Sequence, residues 1–211
     1  METKLKNLLT YITLAGVVIA GGAVAEEVNG KWGSKSFYMG ALLGQSSINT
    51  GVNTLVGATL KEEDTASIFF IGSEINKNIS VEGFYGDFGE ASLTGSINDT
   101  FDVDGDTYTF NKNGTIKVTA KSVGIAAKLR FDISDKFKGF AKGGWHWWDS
   151  ETTLATGTSE ASEKEDGSDL LIGLGLEYDI SEKVAFTVGY DRYKFDQSSV
   201  AFLNGGIRVQ F

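Results

Sequence analysis

The sequence contains one histidine and no cysteine, so few side chains could act as a catalytic base or nucleophile. His146 is the candidate base, because an imidazole changes its protonation state near neutral pH. A nucleophilic serine two residues later would give an H-x-S arrangement, but Trp148 occupies that position. A lone histidine of this kind is typical of a structural hydrogen-bonding residue, and we predict no catalytic residue.

Three aspartates in the middle of the chain have the spacing of calcium ligands. Asp102, Asp104 and Asp106 are separated by single residues, but the glycine and the distal glutamate of a calcium-binding loop are missing. The aspartates are better explained as the charged flanks of a hairpin turn. We therefore predict neither a metal site nor a cofactor.

An alternation of apolar and polar side chains indicates that β-strands position these residues. From Leu170 to Ile180, large apolar residues alternate mostly with glycine and carboxylate residues, and the segment from Val123 to Ile133 repeats the pattern with mixed charges. Successive residues of a strand point to opposite faces. A soluble sandwich would also alternate, but it would rarely place so many glycines and charges opposite the larger apolar side chains.

Eight segments of this kind predict an all-β fold, an eight-stranded antiparallel up-and-down transmembrane β-barrel, which is the smallest size common among such barrels. The predicted strands are Ser36–Gln45, Ser67–Ile75, Ile79–Phe88, Ile116–Ile133, Phe137–Trp148, Asp169–Ile180, Val184–Tyr193 and Val200–Phe211. The second strand has the weakest pattern, because consecutive apolar residues obscure its two faces.

The connections between the strands alternate in length, which orients the barrel. Residues 76–78, 134–136 and 181–183 form tight turns, whereas residues 46–66, 89–115 and 149–168 are long and polar. Short turns are expected on the periplasmic side and long loops outside. Asp-Gly and Asn-Gly pairs in the second loop predict that residues 100–110 form a strand extension above the membrane.

Both ends of the sequence indicate export to the bacterial outer membrane. Lys4 and Lys6 precede an apolar run, residues 8–20, and a small-residue cleavage motif that ends at Ala25. We predict a signal-peptide helix over residues 1–25 and a barrel domain over residues 26–211. An uncleaved anchor helix is the alternative, since residues 8–25 approach the length that spans a bilayer. At the other end, the last strand alternates until the final residue, Phe211, as expected of a strand that closes a barrel.

Composition narrows the functional class further. The formal net charge is −9, which makes nucleic acid an improbable partner. Without cysteine there is no disulfide framework, so stability must come from the sheet. The mean hydropathy of −0.09 does not argue against a membrane barrel, because each strand presents only every second residue to lipid.

Several short blocks together resemble the OmpA-like transmembrane domain family over the stretch from Ser36 to Phe211. The blocks are residues 37–44 (FYMGALLG), 127–129 (AKL), 175–182 (GLEYDISE) and the terminal Phe211. The resemblance implies a porin-family outer-membrane barrel of a Gram-negative bacterium. The sequence ends at the barrel, so the peptidoglycan-binding domain of full-length OmpA, and its role in tethering the cell wall, are not implied.

Charged residues on the inward face form a predicted cluster. By alternation, the inward acids are Glu74, Glu82, Asp132, Glu177 and Asp179, and the inward bases are Lys128, Arg130, Lys138, Lys142 and Arg208. The predicted salt-bridge cluster comprises Glu82, Lys128, Arg130, Lys142, Glu177 and Arg208. The resemblance implies a salt-bridge plug with Glu82, Lys128 and Glu177 at matching positions. Thr187 stands where the family has an arginine, and Arg208 is the expected substitute.

Two functions of this cluster are open at this point, a structural plug and a gated ion path. An interior of about eight strands is just wide enough for side chains to fill, which favours the plug. The outward face carries aromatic residues near both rims, as membrane girdles do. The predicted girdle comprises Trp145, Trp147, Tyr178, Tyr190 and Phe211.

The excess acidic residues lie in the long outer loops. They are Glu62, Glu63 and Asp64 in the first, Glu90, Asp99, Asp102, Asp104 and Asp106 in the second, and Glu151, Glu160, Glu163, Glu165 and Asp166 in the third. We expect a non-enzymatic structural or cell-surface interaction role, such as an adhesin or colonisation factor. A small gated porin is the alternative, and a lipid A-modifying enzyme is a distant third.

The expected partners follow from this location. They are outer-membrane lipid and lipopolysaccharide, the barrel-assembly machinery through the C-terminal strand, and a host or neighbouring-cell surface ligand, with the protein itself a monomer.

Overall fold

A computed structural model describes residues 36–103, 105–157, 159–196 and 198–211 of the protein. The predicted signal peptide, residues 1–25, lies outside the described residues. None of the described ranges contains a helix with the length and apolar character needed to cross a membrane.

The described residues form twelve strands. They are β1 Phe37–Asn49, β2 Val52–Val56, β3 Thr59–Lys61, β4 Glu63–Glu74, β5 Ile79–Gly95, β6 Thr100–Val103, β7 Asp106–Thr109, β8 Gly114–Asp132, β9 Phe137–Thr156, β10 Ser159–Asp179, β11 Val184–Phe195 and β12 Ser198–Gln210.

Eight of these strands close into an antiparallel barrel, as the sequence predicts. Around the barrel they follow chain order, β1, β4, β5, β8, β9, β10, β11 and β12, and β12 pairs with β1 to complete the circle. The pairing of β5 with β8 joins the remaining edges. Closure leaves no exposed edge in the barrel wall, so each strand is paired on both sides along the part of it that forms the wall.

The three short connections lie at one end of the barrel, which we call the turn end. They cover residues 75–78, 133–136 and 180–183, in agreement with the predicted tight turns. At the opposite end, the outer end, the strands are longer than predicted. Outer segments that lie beyond the barrel wall connect them.

The prediction of a loop over residues 149–168 is wrong. β9 continues to Thr156 and β10 begins at Ser159, and the two strands pair from Ser159↔Thr156 down to Tyr178↔Phe137. This part of the hairpin is polar on both faces, so it lacks the apolar alternation that marks the wall. Backbone hydrogen bonding, which every non-proline residue supplies, is sufficient to continue the ladder.

Two smaller sets of strands occupy the rest of the outer end. β3 pairs with the outer part of β5, and β2, β6 and β7 form a separate three-stranded sheet. The hairpin of β6 and β7 fits the predicted strand extension over residues 100–110. Phe101 lies against both Tyr108 and Phe110, with ring centroids 5.6 Å and 5.2 Å apart, so this hairpin has an aromatic cluster of its own.

A bulge interrupts β5 where the wall passes into the outer end. The register with β8 shifts between Asp87 and Glu90, and Gly89 has a φ of +74°. Asp64 accepts a hydrogen bond of 2.9 Å from the backbone N–H of Glu90. Backbone N–H donors, first that of Thr65 and then that of Glu90, lower the pKa of the Asp64 carboxyl. The carboxylate of Asp64 therefore holds the bulge in place.

The wall has an apolar outer face and a mixed inner face. Leu43, Ile172, Leu174 and Leu203 point outward and are more than 60 % exposed, as side chains in contact with lipid should be. β4 is the second strand of the wall, and its sequence pattern is the weakest. In the structure its two faces are distinct, with Ile68 and Phe70 buried inside and Phe69 outside.

Candidate functional site

Charged side chains fill the half of the barrel interior nearer the turn end. We call this the charged layer; its ion-paired members are Glu74, Glu82, Glu177, Asp179 and Asp191 with Lys128, Arg130, Lys138, Lys142 and Arg208. Strand alternation places them there, because each occupies an inward position of its strand. Five acids face five bases, so these ten groups balance one another's charge without an external ion.

Glu177 on β10 is the centre of the layer. Its Oε1 atom lies 2.6 Å from Lys128 Nζ and 3.7 Å from Arg208 Nε, and its Oε2 atom lies 4.0 Å from Arg130 Nη1. Lys128 also reaches Glu82 at 3.3 Å and lies 4.2 Å from the ring centre of Phe140. Three cations from two strands, β8 and β12, thus converge on one carboxylate that is 1 % exposed.

Glu82 has a second partner besides the lysine. The hydroxyl of Tyr38 donates to Glu82 Oε1 at 2.9 Å, and it also lies 2.8 Å from Ser80 Oγ. Tyr38 is fully buried, and Arg208 stacks over its ring at 5.3 Å. Because β1 carries Tyr38 and β5 carries Glu82, this contact joins strands that are not neighbours in the wall.

The structure brings five of the six predicted cluster residues into one network and places the sixth in a pair with a residue that the prediction omitted. Lys142 lies 2.8 Å from Asp191 Oδ2, and Asn204 donates to the same oxygen at 3.1 Å. Asp191 is an inward position of β11, so alternation could have identified it. Asp132 continues the inward alternation of β8 and lies opposite Lys138, but at the turn end it is exposed.

Thr187 occupies the inward position of β11 where the family resemblance implies an arginine. It is 3 % exposed, and the nearby Arg208 approaches both Glu177 and Asp179 at 3.7 Å. Arg208 on β12 is therefore an ion-pair partner of Glu177, as expected from the sequence.

Aromatic side chains fill the interior above the charged layer. This aromatic layer consists of Phe84, Phe88, His146, Trp148, Tyr193, Phe195 and Phe202. Phe88 is fully buried at its centre, and its ring lies 4.7 Å from Tyr193 and about 6 Å from Phe195 and Phe202. Between the two layers is a cavity of about 20 Å³, enough for one water molecule.

His146 is held on both ring nitrogens within the aromatic layer. Its Nε2 atom lies 2.9 Å from the carbonyl oxygen of Lys194, and its Nδ1 atom lies 2.8 Å from Ser122 Oγ. Since a carbonyl only accepts, Nε2 donates to Lys194, and in the neutral ring Nδ1 then accepts from the serine hydroxyl. The ring is fully buried, so the imidazole has no free position for a substrate.

The predicted girdle residues all point outward from the wall. Trp145, Trp147 and Tyr190 lie toward the outer end and are 40–45 % exposed, whereas Tyr178 and Phe211 lie near the turn end. The adjacent Trp148 points inward, where its indole N–H donates to Asp169 at 3.3 Å. A pair of outward tryptophans and an inward one follow directly from strand alternation.

The outer part of the β9–β10 hairpin is exposed and acidic on β10. Every residue from Ser159 to Asp166 of β10 is exposed. β10 pairs with β11 only from Leu171 onward, so among the described residues the stretch Ser159–Leu170 has a strand partner on one side alone. It carries five carboxylates and one lysine.

Within the described ranges, no group of three or more histidine, cysteine, aspartate or glutamate side chains has the geometry to hold a metal ion. Asp104 lies outside these ranges. The Asp102 carboxylate accepts a hydrogen bond of 3.0 Å from the backbone N–H of Gly105, as expected for an aspartate in a hairpin turn.

Comparison with known proteins agrees with this architecture. Residues 33–196 match the family model described as OmpA-like transmembrane domain. The fold is similar to the crystal structure of Neisserial surface protein A, with a TM-score of 0.54 and 15 % identity over 84 % of this chain and 99 % of that one. A major outer membrane protein from Thermus thermophilus gives a TM-score of 0.50 and 11 % identity over 84 % and 100 %.

A third similar structure is Ail, the attachment invasion locus protein of Yersinia pestis, with a TM-score of 0.49 and 16 % identity over 84 % of this chain and 97 % of that one. A search of curated protein sequences gave no significant match. At these identities the structural similarities establish the fold alone.

Proposed function

We propose that this chain, which belongs to the OmpA-like transmembrane domain family, is a plugged outer-membrane barrel that presents the outer part of its β9–β10 hairpin to partners at the cell surface. The observation that supports this most is the hairpin itself. Its outer part continues well beyond the wall and is acidic and exposed on β10.

The filled interior supports a surface role over conduction. An ion that crossed the barrel would have to pass the ten-residue charged layer and then the aromatic layer, where Phe88 is fully buried. The cavity of about 20 Å³ between the layers does not hold a hydrated ion. The salt-bridge cluster is therefore proposed as a plug that stabilises the wall rather than as a gate.

The chemistry of the hairpin indicates the kind of partner. Four exposed carboxylates against one lysine on Ser159–Asp166 attract a basic surface and repel anionic groups such as lipopolysaccharide phosphates, unless divalent cations bridge them. The unpaired side of β10 also offers backbone donors and acceptors to an extended segment. We propose a basic partner on a host or neighbouring cell.

We propose that the protein has no enzyme activity. His146 is buried with both nitrogens engaged by Ser122 and Lys194, so it faces neither lipid nor solvent. If the protein modified lipid A, mass spectrometry of lipid A from cells with and without it would show a difference in acylation, whereas we expect identical spectra.

The remaining partners are proposed from the barrel's location. The girdle residues would contact outer-membrane lipid and lipopolysaccharide, and the C-terminal strand would engage the barrel-assembly machinery after export by the signal peptide. We propose a monomer, because closure of β12 on β1 leaves no strand of the wall for a second copy.

Adhesion of bacteria expressing surface variants tests the proposal. Glu160→Gln, Glu163→Gln and Glu165→Gln together remove three charges from the hairpin, and we expect them to abolish most of the adhesion that the wild-type protein confers. The matched control removes three charges from exposed acids at the turn end, Asp132→Asn, Asp135→Asn and Glu182→Gln, and should adhere like wild type.

Removal of residues 153–162, which shortens the hairpin at its tip on both strands, gives a second test. Heat-modifiable gel mobility should first confirm that this variant folds. Adhesion equal to that of wild type in both the shortened and the neutralised variants would contradict the proposal.

A further inference from the structure

A large apolar cavity lies inside the barrel mouth, above the aromatic layer. We call it the outer cavity; its volume is about 380 Å³. Trp148 and Phe195 form part of its lining, and their rings lie 5.2 Å apart. Residues from the connections between β1 and β4 and between β5 and β8, among them Leu60 and Phe101, complete the lining.

Most residues that line the outer cavity are apolar. Thirteen of the twenty-one lining residues are aliphatic or aromatic. Several of them, including Ile48, Leu93 and Val200, are less than 5 % exposed although they lie at the outer end. Water gains few hydrogen bonds from such a surface, so filling the space with hydrocarbon is favourable.

The size of the outer cavity defines the length of hydrocarbon that fits. Small-molecule sites in proteins commonly have volumes of about 300–1,000 Å³, and an engineered apolar cavity of about 150 Å³ takes up benzene. At the same filling, 380 Å³ accommodates about fifteen carbon atoms. One alkyl chain therefore fits, whereas a lipid with several acyl chains does not.

The charged groups of the lining determine the head group. Glu165 and Asp196 are the charged residues among those that line the cavity, and no lysine or arginine accompanies them in the lining. An anionic head would be repelled by these carboxylates, while a cationic or neutral one would be accepted.

From these observations we propose that the outer cavity binds a single-chain amphiphile with a cationic or uncharged head group. The chain lies against Trp148 and Phe195, and the head lies near Glu165 and Asp196. The site shares Glu165 with the β9–β10 hairpin surface proposed for adhesion, but its chain-binding part is formed by Trp148 and Phe195, and the barrel mouth is then a ligand site and not an ion path.

The test uses the wild-type protein in lipid nanodiscs and a series of alkyltrimethylammonium ions with six to sixteen carbons. Binding is followed by the NMR resonance of the Trp148 indole N–H, because this side chain lines the cavity. The dissociation constant should fall about fourfold per added methylene. It should then level off at roughly ten to fifteen carbons, when the cavity is full.

Filling the cavity should abolish this response. Ala120 is buried and lines the cavity, whereas Ala127 on the same strand is exposed to lipid. We expect Ala120→Phe to weaken binding at least tenfold and Ala127→Phe, the matched control, to bind like wild type. Ser150→Phe, at a second half-buried lining position, gives an independent variant if Ala120→Phe does not fold.

Three results would overturn the proposal. The first is a Trp148 resonance that no chain length moves, and the second is undiminished binding in a folded filling variant. The third is an affinity that rises without levelling, because partition onto the lipid-facing wall has no size limit. Dodecyl sulfate should bind at least tenfold more weakly than dodecyltrimethylammonium, and equal affinity would contradict the proposed head-group selectivity.

Discussion

Replacement of Lys128 by methionine removes the cation that joins Glu82 to Glu177. Glu177 keeps two guanidinium groups within about 4 Å, those of Arg130 and Arg208. Among the ion pairs of the described residues, Glu82 has Lys128 as its one partner, and after the substitution it keeps the Tyr38 hydroxyl. Removing one partner of a buried ion pair costs about 3–5 kcal/mol, and we expect a loss of unfolding free energy near the lower end, about 3 kcal/mol.

Equilibrium unfolding in urea of protein folded into phospholipid vesicles measures this change. Lys117→Met is the matched control, because Lys117 pairs with Glu90 at 3.1 Å on the exposed surface and should contribute less than about 1 kcal/mol. Adding Glu82→Gln to Lys128→Met removes the unpaired charge and should recover part of the loss. A stability within about 1 kcal/mol of wild type for Lys128→Met, or no recovery in the double variant, would refute the role given to Lys128.

Two further predictions concern the bulge in β5. Gly89→Ala should lower stability by about 2 kcal/mol or more, because the residue has a φ of +74° and a Cβ there would lie 2.7 Å from the Asp64 carboxylate. Gly105→Ala, at a φ of +91° with open space around it, should cost about 1 kcal/mol, and equal losses would contradict this account. Hydrogen bonds from the backbone N–H groups of Thr65 and Glu90 hold the pKa of Asp64 below its ordinary 3.8, so the unfolded chain binds this proton more tightly. The contribution of Asp64 to the free energy of unfolding is therefore present above pH 3.8 and is lost as the pH falls below that value. Urea unfolding between pH 3 and 7 should show a weaker dependence of this free energy on pH for Asp64→Asn than for wild type.

The wall of the barrel could be predicted from the sequence because lipid and the packed interior impose a strict two-residue period. This period placed Lys128, Glu177 and Arg208 on the inner face and Tyr190 on the outer face. The same alternation makes Asp191 an inward residue, because it lies four positions after the inward Thr187 on the same strand. The three tight turns were predictable as well, since each separates two alternating segments.

The outer end could not be predicted in the same way. The stretch from Glu151 to Asp166 is polar on both faces, so no alternation distinguishes a continued hairpin from a loop. The bulge at Gly89 depends on Asp64, a carboxylate far earlier in the chain. The outer cavity is assembled from ten strands, and no local pattern of residues indicates a volume enclosed between distant segments.

The most direct test of the plugged barrel is its conductance in planar lipid bilayers, measured for wild type and for Lys128→Met. The filled interior predicts no discrete channel openings in either protein, while Lys128→Met loses heat resistance on gels. Stable openings of the wild-type barrel, or openings that appear when Lys128 is replaced, would show that the charged layer gates an ion path and would contradict the plug.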